Sequence, residues 1–142
     1  MVGEPFFLDT SGWITMLNKG GDLHDEAMRV WDRLAASKRT AVLTDLVVAE
    51  TGNGMARGLG RTAFVNSWRL LSGSTHVRVV STTRAALDEG IARYAAHLDK
   101  NWGVVDCVSF ELMRAEGIVD AFTTDHHFEQ AGFRCLLPTG GR

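Results

Sequence analysis

PFFLDTSGWITML, residues Pro5 to Leu17, carries the reading of the fold. Phe6, Phe7 and Leu8 form a short apolar run after a proline, and Asp9, Thr10 and Ser11 behind it are residue types that cap helices. The stretch predicts a buried strand feeding a capped helix over Gly12 to Leu17, with Asp9 at the strand's C-terminal end. The same unit recurs down the chain. Ala27, Val30, Trp31 and Leu34 repeat at helical spacing and predict a helix from His24 to Ala36. Thr40 to Thr44 reads as a second strand, and Asp45 opens a helix on which Leu46, Val47 and Glu50 share one side. Gly52-Asn53-Gly54 is expected to bend or end that helix, since each glycine costs about 1 kcal/mol in a helix interior. A helix over Arg61 to Ser72, a strand at Val77 to Val80 and a helix over Thr83 to Leu98 follow. Leu87, Ile91, Tyr94 or Ala95, and Leu98 are the expected buried stripe of the last of these. Next come a helix around Asp106 ending near Glu116-Gly117, a strand over Asp120 to Thr124, a helical turn at His126 to Ala131, and a strand at Phe133 to Leu137. Short apolar strands alternating with longer amphipathic helices predict an α/β fold, with a mostly parallel sheet of four to five strands and helices on both faces.

A chain of 142 residues fits one compact domain, and neither repeats nor a Pro-rich linker divide residues 1–142. The apolar fraction of 45% and charged fraction of 23% suit a globular protein, and no apolar run approaches the roughly 20 residues of a membrane span. The amino terminus carries Glu4 where a secretory leader would be basic, so a cytoplasmic location is expected. Cys107 and Cys135 have neither zinc-site nor redox-pair spacing and read as free thiols. A net charge of −2 neither supports nor excludes a nucleic-acid partner.

In NWGVVDCVSFELM, Asn101 to Met113, one carboxylate sits inside an apolar run, where it costs several kcal/mol unless it is capped, exposed or paired. Parallel sheets bind ligands at the carboxyl ends of their strands. Asp9 and Asp125 fall at strand-to-helix turns, Glu50 lies on the helix after strand two, and Asp106 opens the helix before strand four. Each acid has an ordinary alternative duty: helix cap for Asp9, surface residue for Glu50, helix-dipole partner for Asp106 and turn former for Asp125. Gathered in one crevice, they would repel one another unless a cation neutralised them. An all-oxygen set favours Mg²⁺ or Mn²⁺ over zinc. His126 and His127 adjoin the site but are left out of the expected ligand set. Ser11 and Thr124 are expected to orient the acids by hydrogen bonds, Thr10 less so.

FLDTSGW (Phe6 to Trp13), TDLVVAET (Thr44 to Thr51), DKNWGVVDCVSFELM (Asp99 to Met113) and FTTDHHFEQAGF (Phe122 to Phe133) together resemble PIN-domain ribonucleases, specifically the toxin component of VapBC-type toxin-antitoxin pairs. The resemblance runs nearly end to end. It places the family's acids on Asp9, Glu50, Asp106 and Asp125, and implies Mg²⁺ or Mn²⁺ dependence, endonuclease action on RNA, a homodimer and a cognate antitoxin. On that reading Asp9 and Asp106 hold the principal ion, while Asp125 and Glu50 complete its surroundings and orient water for hydrolysis. Arg57, Arg61, Arg69 and Lys100 are possible RNA-backbone contacts, though exposed charge is their simpler role. Two alternatives stay open: a PIN-fold RNA-binding or interaction module without cleavage, and a housekeeping RNA-processing nuclease with no antitoxin. A phosphatase using Asp9 as nucleophile would want a second acid two residues on, where Ser11 stands.

Overall fold

The computed structural model describes residues 3–140. Five strands, β1 (Gly3–Leu8), β2 (Arg39–Thr44), β3 (Val77–Val80), β4 (Asp120–Phe122) and β5 (Arg134–Cys135), alternate with seven helices. These are α1 (Thr10–Leu17), α2 (His24–Ala36), α3 (Asp45–Gly54), α4 (Gly60–Ser72), α5 (Arg84–Ala96), α6 (Val104–Glu116) and α7 (His127–Gln130). The strands form one sheet in the order β3-β2-β1-β4-β5, and every neighbouring pair is parallel.

β1 is central because its side chains are apolar on both faces, as a strand covered from two sides requires. Phe6 meets the Trp31 ring of α2 edge-on at 5.8 Å, whereas Phe7, pointing the other way, packs on Phe128 of α7 at 6.1 Å. Phe110 of α6 closes on Phe128 at 4.9 Å, so the second layer is knit to the same strand. The chain builds outward from β1 through β2 to β3, then returns to its other side as β4. Connections leaving β1 and β4 diverge, and a crevice opens where they part.

Gly12 lets α1 enter that crevice. A Cβ there would lie 2.2 Å from the Phe122 carbonyl oxygen, so only glycine allows α1 to rest on the end of β4. The Asp9 N–H donates to the same carbonyl at 3.2 Å, fixing the end of β1 against that of β4.

At the opposite edge, Asp120 opens β4 with its side chain buried and accepts from Arg39 of β2 at 2.8 Å and from Arg134 of β5 at 2.6 Å. This clamp ties the amino ends of three strands, and the Arg134 hydrogen bonds, with those of Arg39, hold the Asp120 carboxyl below its ordinary range.

The helix boundaries follow the sequence pattern, and α3 ends at the expected Gly52-Asn53-Gly54. The buried face of α5 does not. Ile91 and Tyr94 are exposed, as is Leu98 beyond the helix end; of the expected stripe Leu87 alone stays half-buried, beside Ala86, Gly90 and Arg93. The reason is Gly90, where a Cβ would meet Val108 of α6 at 2.4 Å. Close backbone approach along a glycine seam rotates the contact face by about one residue from the apolar stripe. Both cysteines are free. Among the described residues no helix is long and apolar enough to cross a membrane.

Candidate active site

The crevice between β1 and β4 is built from three acids with different supports. Asp9 follows β1 and N-caps α1; its Oδ2 accepts from the Ser11 N–H at 3.3 Å, the Ser11 hydroxyl at 2.9 Å and the Thr123 hydroxyl at 2.8 Å. The residue is only 3% exposed. Burial pushes its carboxyl up to about 6, opposed by the hydroxyls of Thr123 and Ser11 and assisted by the negative charge of Asp106.

Asp106 stands at the third position of α6, where its Oδ2 accepts from the Gly103 N–H at 3.0 Å. This is the capping role allowed by the sequence, and it also fixes the carboxylate at the crevice. Burial raises the Asp106 carboxyl from its ordinary value, and the charge of Asp125 adds to the rise. Asp125 follows β4 and accepts from the His127 N–H at 2.9 Å through Oδ1, a turn that aims residues 125 and 127 the same way.

Glu50 is exposed on α3 and accepts from the Thr10 hydroxyl at 2.6 Å. It is therefore tethered to the residue next to Asp9 and sits outside the buried cluster. Of the four expected acids, the structure couples Asp9, Asp106 and Asp125 electrostatically and leaves Glu50 at the rim.

The supporting hydroxyls differ from expectation. Ser11 does donate to Asp9, but Thr124 contributes its N–H to the Ser11 oxygen at 2.9 Å, and the threonine hydroxyl on Asp9 is that of Thr123. Thr123 also accepts from the Asp125 N–H at 3.0 Å, so one side chain spans two acids. Thr10, ranked below Ser11 and Thr124, is the residue that holds Glu50.

Sequence reasoning also set His127 aside. Its Nδ1 lies 3.2 Å from Asp106 Oδ2 and 3.3 Å from Asp125 Oδ1. His126 is close as well, with Nδ1 3.8 Å from Asp125 Oδ1, so Asp125, His126 and His127 can present ligand atoms to one point. The short turn after β4 is the physical reason: residues 125 and 127 lie on one side of it, a relation that a strand-plus-helix reading misses.

The donor set fits a divalent ion. The backbone and hydroxyl hydrogen bonds to Asp9 and Asp106 fall on Oδ2, and the one to Asp125 on Oδ1, so each carboxylate keeps one oxygen free of them. Among the described residues neither lysine nor arginine pairs with any of the three. Coupled carboxylates with neither lysine nor arginine between them are what an ion relieves.

The PIN-domain family model matches residues 6–134, from within β1 to the start of β5. The chain is 34% identical over 133 residues to the 23S rRNA-specific endonuclease VapC20 of Mycobacterium tuberculosis, covering 93% of this chain and 98% of that protein. The crystal structure of M. tuberculosis VapC20, a Sarcin-Ricin loop cleaving toxin, superposes with a TM-score of 0.83 at 30% identity, over 94% of this chain and 99% of that one. VapBC2 of Rickettsia felis, solved with a fragment of promoter DNA, shares the fold at a TM-score of 0.64 and 14% identity, over 92% and 95% of the two chains. With the matched segment carrying all three acids and both strands that frame them, this chain belongs to the PIN-domain family.

Proposed function

We propose that this PIN domain is a VapC-type, metal-dependent endoribonuclease that hydrolyses RNA phosphodiester bonds. The observation that carries the reading is the trio Asp9, Asp106 and Asp125 at the β1/β4 crevice, each with one free carboxylate oxygen. The 34% identity to VapC20 over nearly the whole chain supports the same reaction and makes 23S rRNA the first substrate to assay. Mg²⁺ or Mn²⁺ is the proposed cofactor, a cognate antitoxin the proposed inhibitor, and a cytoplasmic homodimer the proposed working form.

Asp9, Asp106 and Asp125 would hold the ion, which when bound supplies a lowered water pKa and charge neutralisation at the phosphate. Ser11 and Thr123 keep Asp9 oriented with one oxygen toward the crevice. Gly103 does the same for Asp106 through its N–H. Glu50, exposed and held by Thr10, would orient water at the substrate side. No side chain need attack phosphorus, since water is the nucleophile.

Cleavage of RNA by purified protein is the test, with Mg²⁺ or Mn²⁺, with chelator, and with Asp106→Asn. Cleavage should require the ion and fall by at least about a hundredfold in the variant, the scale of losing an electrostatic group aimed at the reacting centre. Undiminished cleavage by Asp106→Asn, or cleavage in excess chelator, refutes the reading.

A further inference from the structure

The crevice acids are accompanied by an imidazole that the reaction just described does not use. His127 Nδ1 lies 3.2 Å from an oxygen of Asp106 and 3.3 Å from an oxygen of Asp125, two carboxylates brought together from α6 and from the turn after β4. Two neighbouring ligands on one octahedral ion, each about 2.1 Å from it, are separated by about 3.0 Å, and on a tetrahedral ion by about 3.4 Å. The observed separations fall between those values and at the long end of a hydrogen bond, so an ion can take the place of the proton between Nδ1 and these oxygens. The ring is also held in place. The His127 N–H is bonded to Asp125, and the adjacent Phe128 is fully buried between Phe7 and Phe110. The His126 ring lies beside that of His127, centroids 4.7 Å apart and planes tilted by 52°.

We propose that His127 is a ligand of the metal centre, giving Nδ1 to the ion held by Asp106 and Asp125 and biasing the site from Mg²⁺ toward first-row transition ions. The inference rests on the metal-centre reading above and deepens it. Imidazole nitrogen is a poor partner for Mg²⁺, which takes oxygen ligands and readily keeps water in their place. Transition ions bind it well, Co²⁺ more tightly than Mn²⁺. A centre with one nitrogen among its oxygens is thus selective in a way that a purely carboxylate centre is not. It also follows that replacing the imidazole should cost little Mg²⁺ affinity, because water can fill the vacated position.

Two measurements on the full chain test the proposal. Pulsed electron paramagnetic resonance of bound Mn²⁺ reads nitrogen directly: wild-type protein should show ¹⁴N echo modulation, lost in His127→Ala and kept in His126→Ala. Calorimetric titration should show His127→Ala losing at least about tenfold in Co²⁺ affinity while its Mg²⁺ affinity changes less than about threefold. Circular dichroism and thermal melts of each variant report whether the fold is retained, and His127→Gln provides a second substitution if alanine disturbs α7. Absence of ¹⁴N modulation in wild type, its loss in His126→Ala instead, or equal changes in Co²⁺ and Mg²⁺ affinity overturns the assignment. Asp106→Asn separates the two readings. If it abolishes ion binding while His127→Ala leaves the nitrogen signal intact, only the histidine assignment fails. If wild-type protein binds no divalent ion, both fail.

Discussion

Burial holds the Asp9 carboxyl near 6 where water would leave it at 3.8, and the sign of that displacement sets what substitution does. An acid whose pKa is raised by folding favours the native state only while protonated. Its contribution is complete below about 3.8 and is lost as the pH rises through about 6. Metal-free wild-type protein should therefore lose stability between pH 4 and 6.5, and Asp9→Asn should lose less, keeping only the part that the buried Asp106 carboxyl contributes. Above pH 6.5 the variant should be the more stable by up to about 3 kcal/mol, roughly two pKa units, as read by denaturant titration in chelator. The hydroxyls on Asp9 act in the other direction. Thr123→Val removes one donor to Asp9 and the acceptor of the Asp125 N–H, so it should weaken divalent-ion binding about 10- to 100-fold, measured calorimetrically. At this scale the meeting of Asp9, Asp106 and Asp125 at one sheet edge was legible, because strand-end and helix-start positions can be counted along a chain, whereas Glu50 stands apart on α3. Thr123 and His127 were not. Counting locates a residue after a strand but not the side of the turn to which its side chain swings, and Thr123 rather than Thr124 is the residue that points at Asp9.

The contact of α1 with β4 rests on the missing side chain of Gly12. Gly12→Ala would drive a methyl group into the Phe122 carbonyl, which is backbone and cannot rotate aside. The substitution should cost about 1–3 kcal/mol, the usual penalty of overpacking, and should weaken ion binding as well, since the same displacement separates Asp9 from Thr123. A stability loss with unaltered ion affinity would show that α1 moves without carrying Asp9. At the opposite edge Asp120 is stabilised by ionisation, its carboxyl held low by Arg134 and Arg39. Asp120→Asn should accordingly destabilise the protein at neutral pH, and the difference from wild type should vanish in acid as the native carboxylate is itself protonated. The elements were readable from periodicity because their apolar runs are short and regular. The packing face of α5 was not, since a hydropathy pattern gives no weight to Gly90, whose value lies in the space it leaves for Val108.

For the whole molecule, the ligand should act as a stabiliser of the native state alone. At a concentration 100 times its dissociation constant the ion adds about 2.7 kcal/mol, which in a domain of this size raises the melting temperature by about 5–10 °C. The rise should be full at pH 7.5 and shrink below pH 6, where protons compete for Asp9; a melt series with and without ion checks it. The parallel α/β architecture could be inferred from alternating strands and helices, and with it the ligand-binding edge. The order β3-β2-β1-β4-β5 could not, because pairing between β1 and β4 joins residues more than a hundred positions apart. That long-range pairing has a consequence for biosynthesis. Asp125 is made more than a hundred residues after Asp9, so a nascent polypeptide has no complete trio until β4 has been made and docked. On the proposed function the polypeptide is therefore disarmed until that docking, and a product truncated before residue 125 should leave RNA uncut.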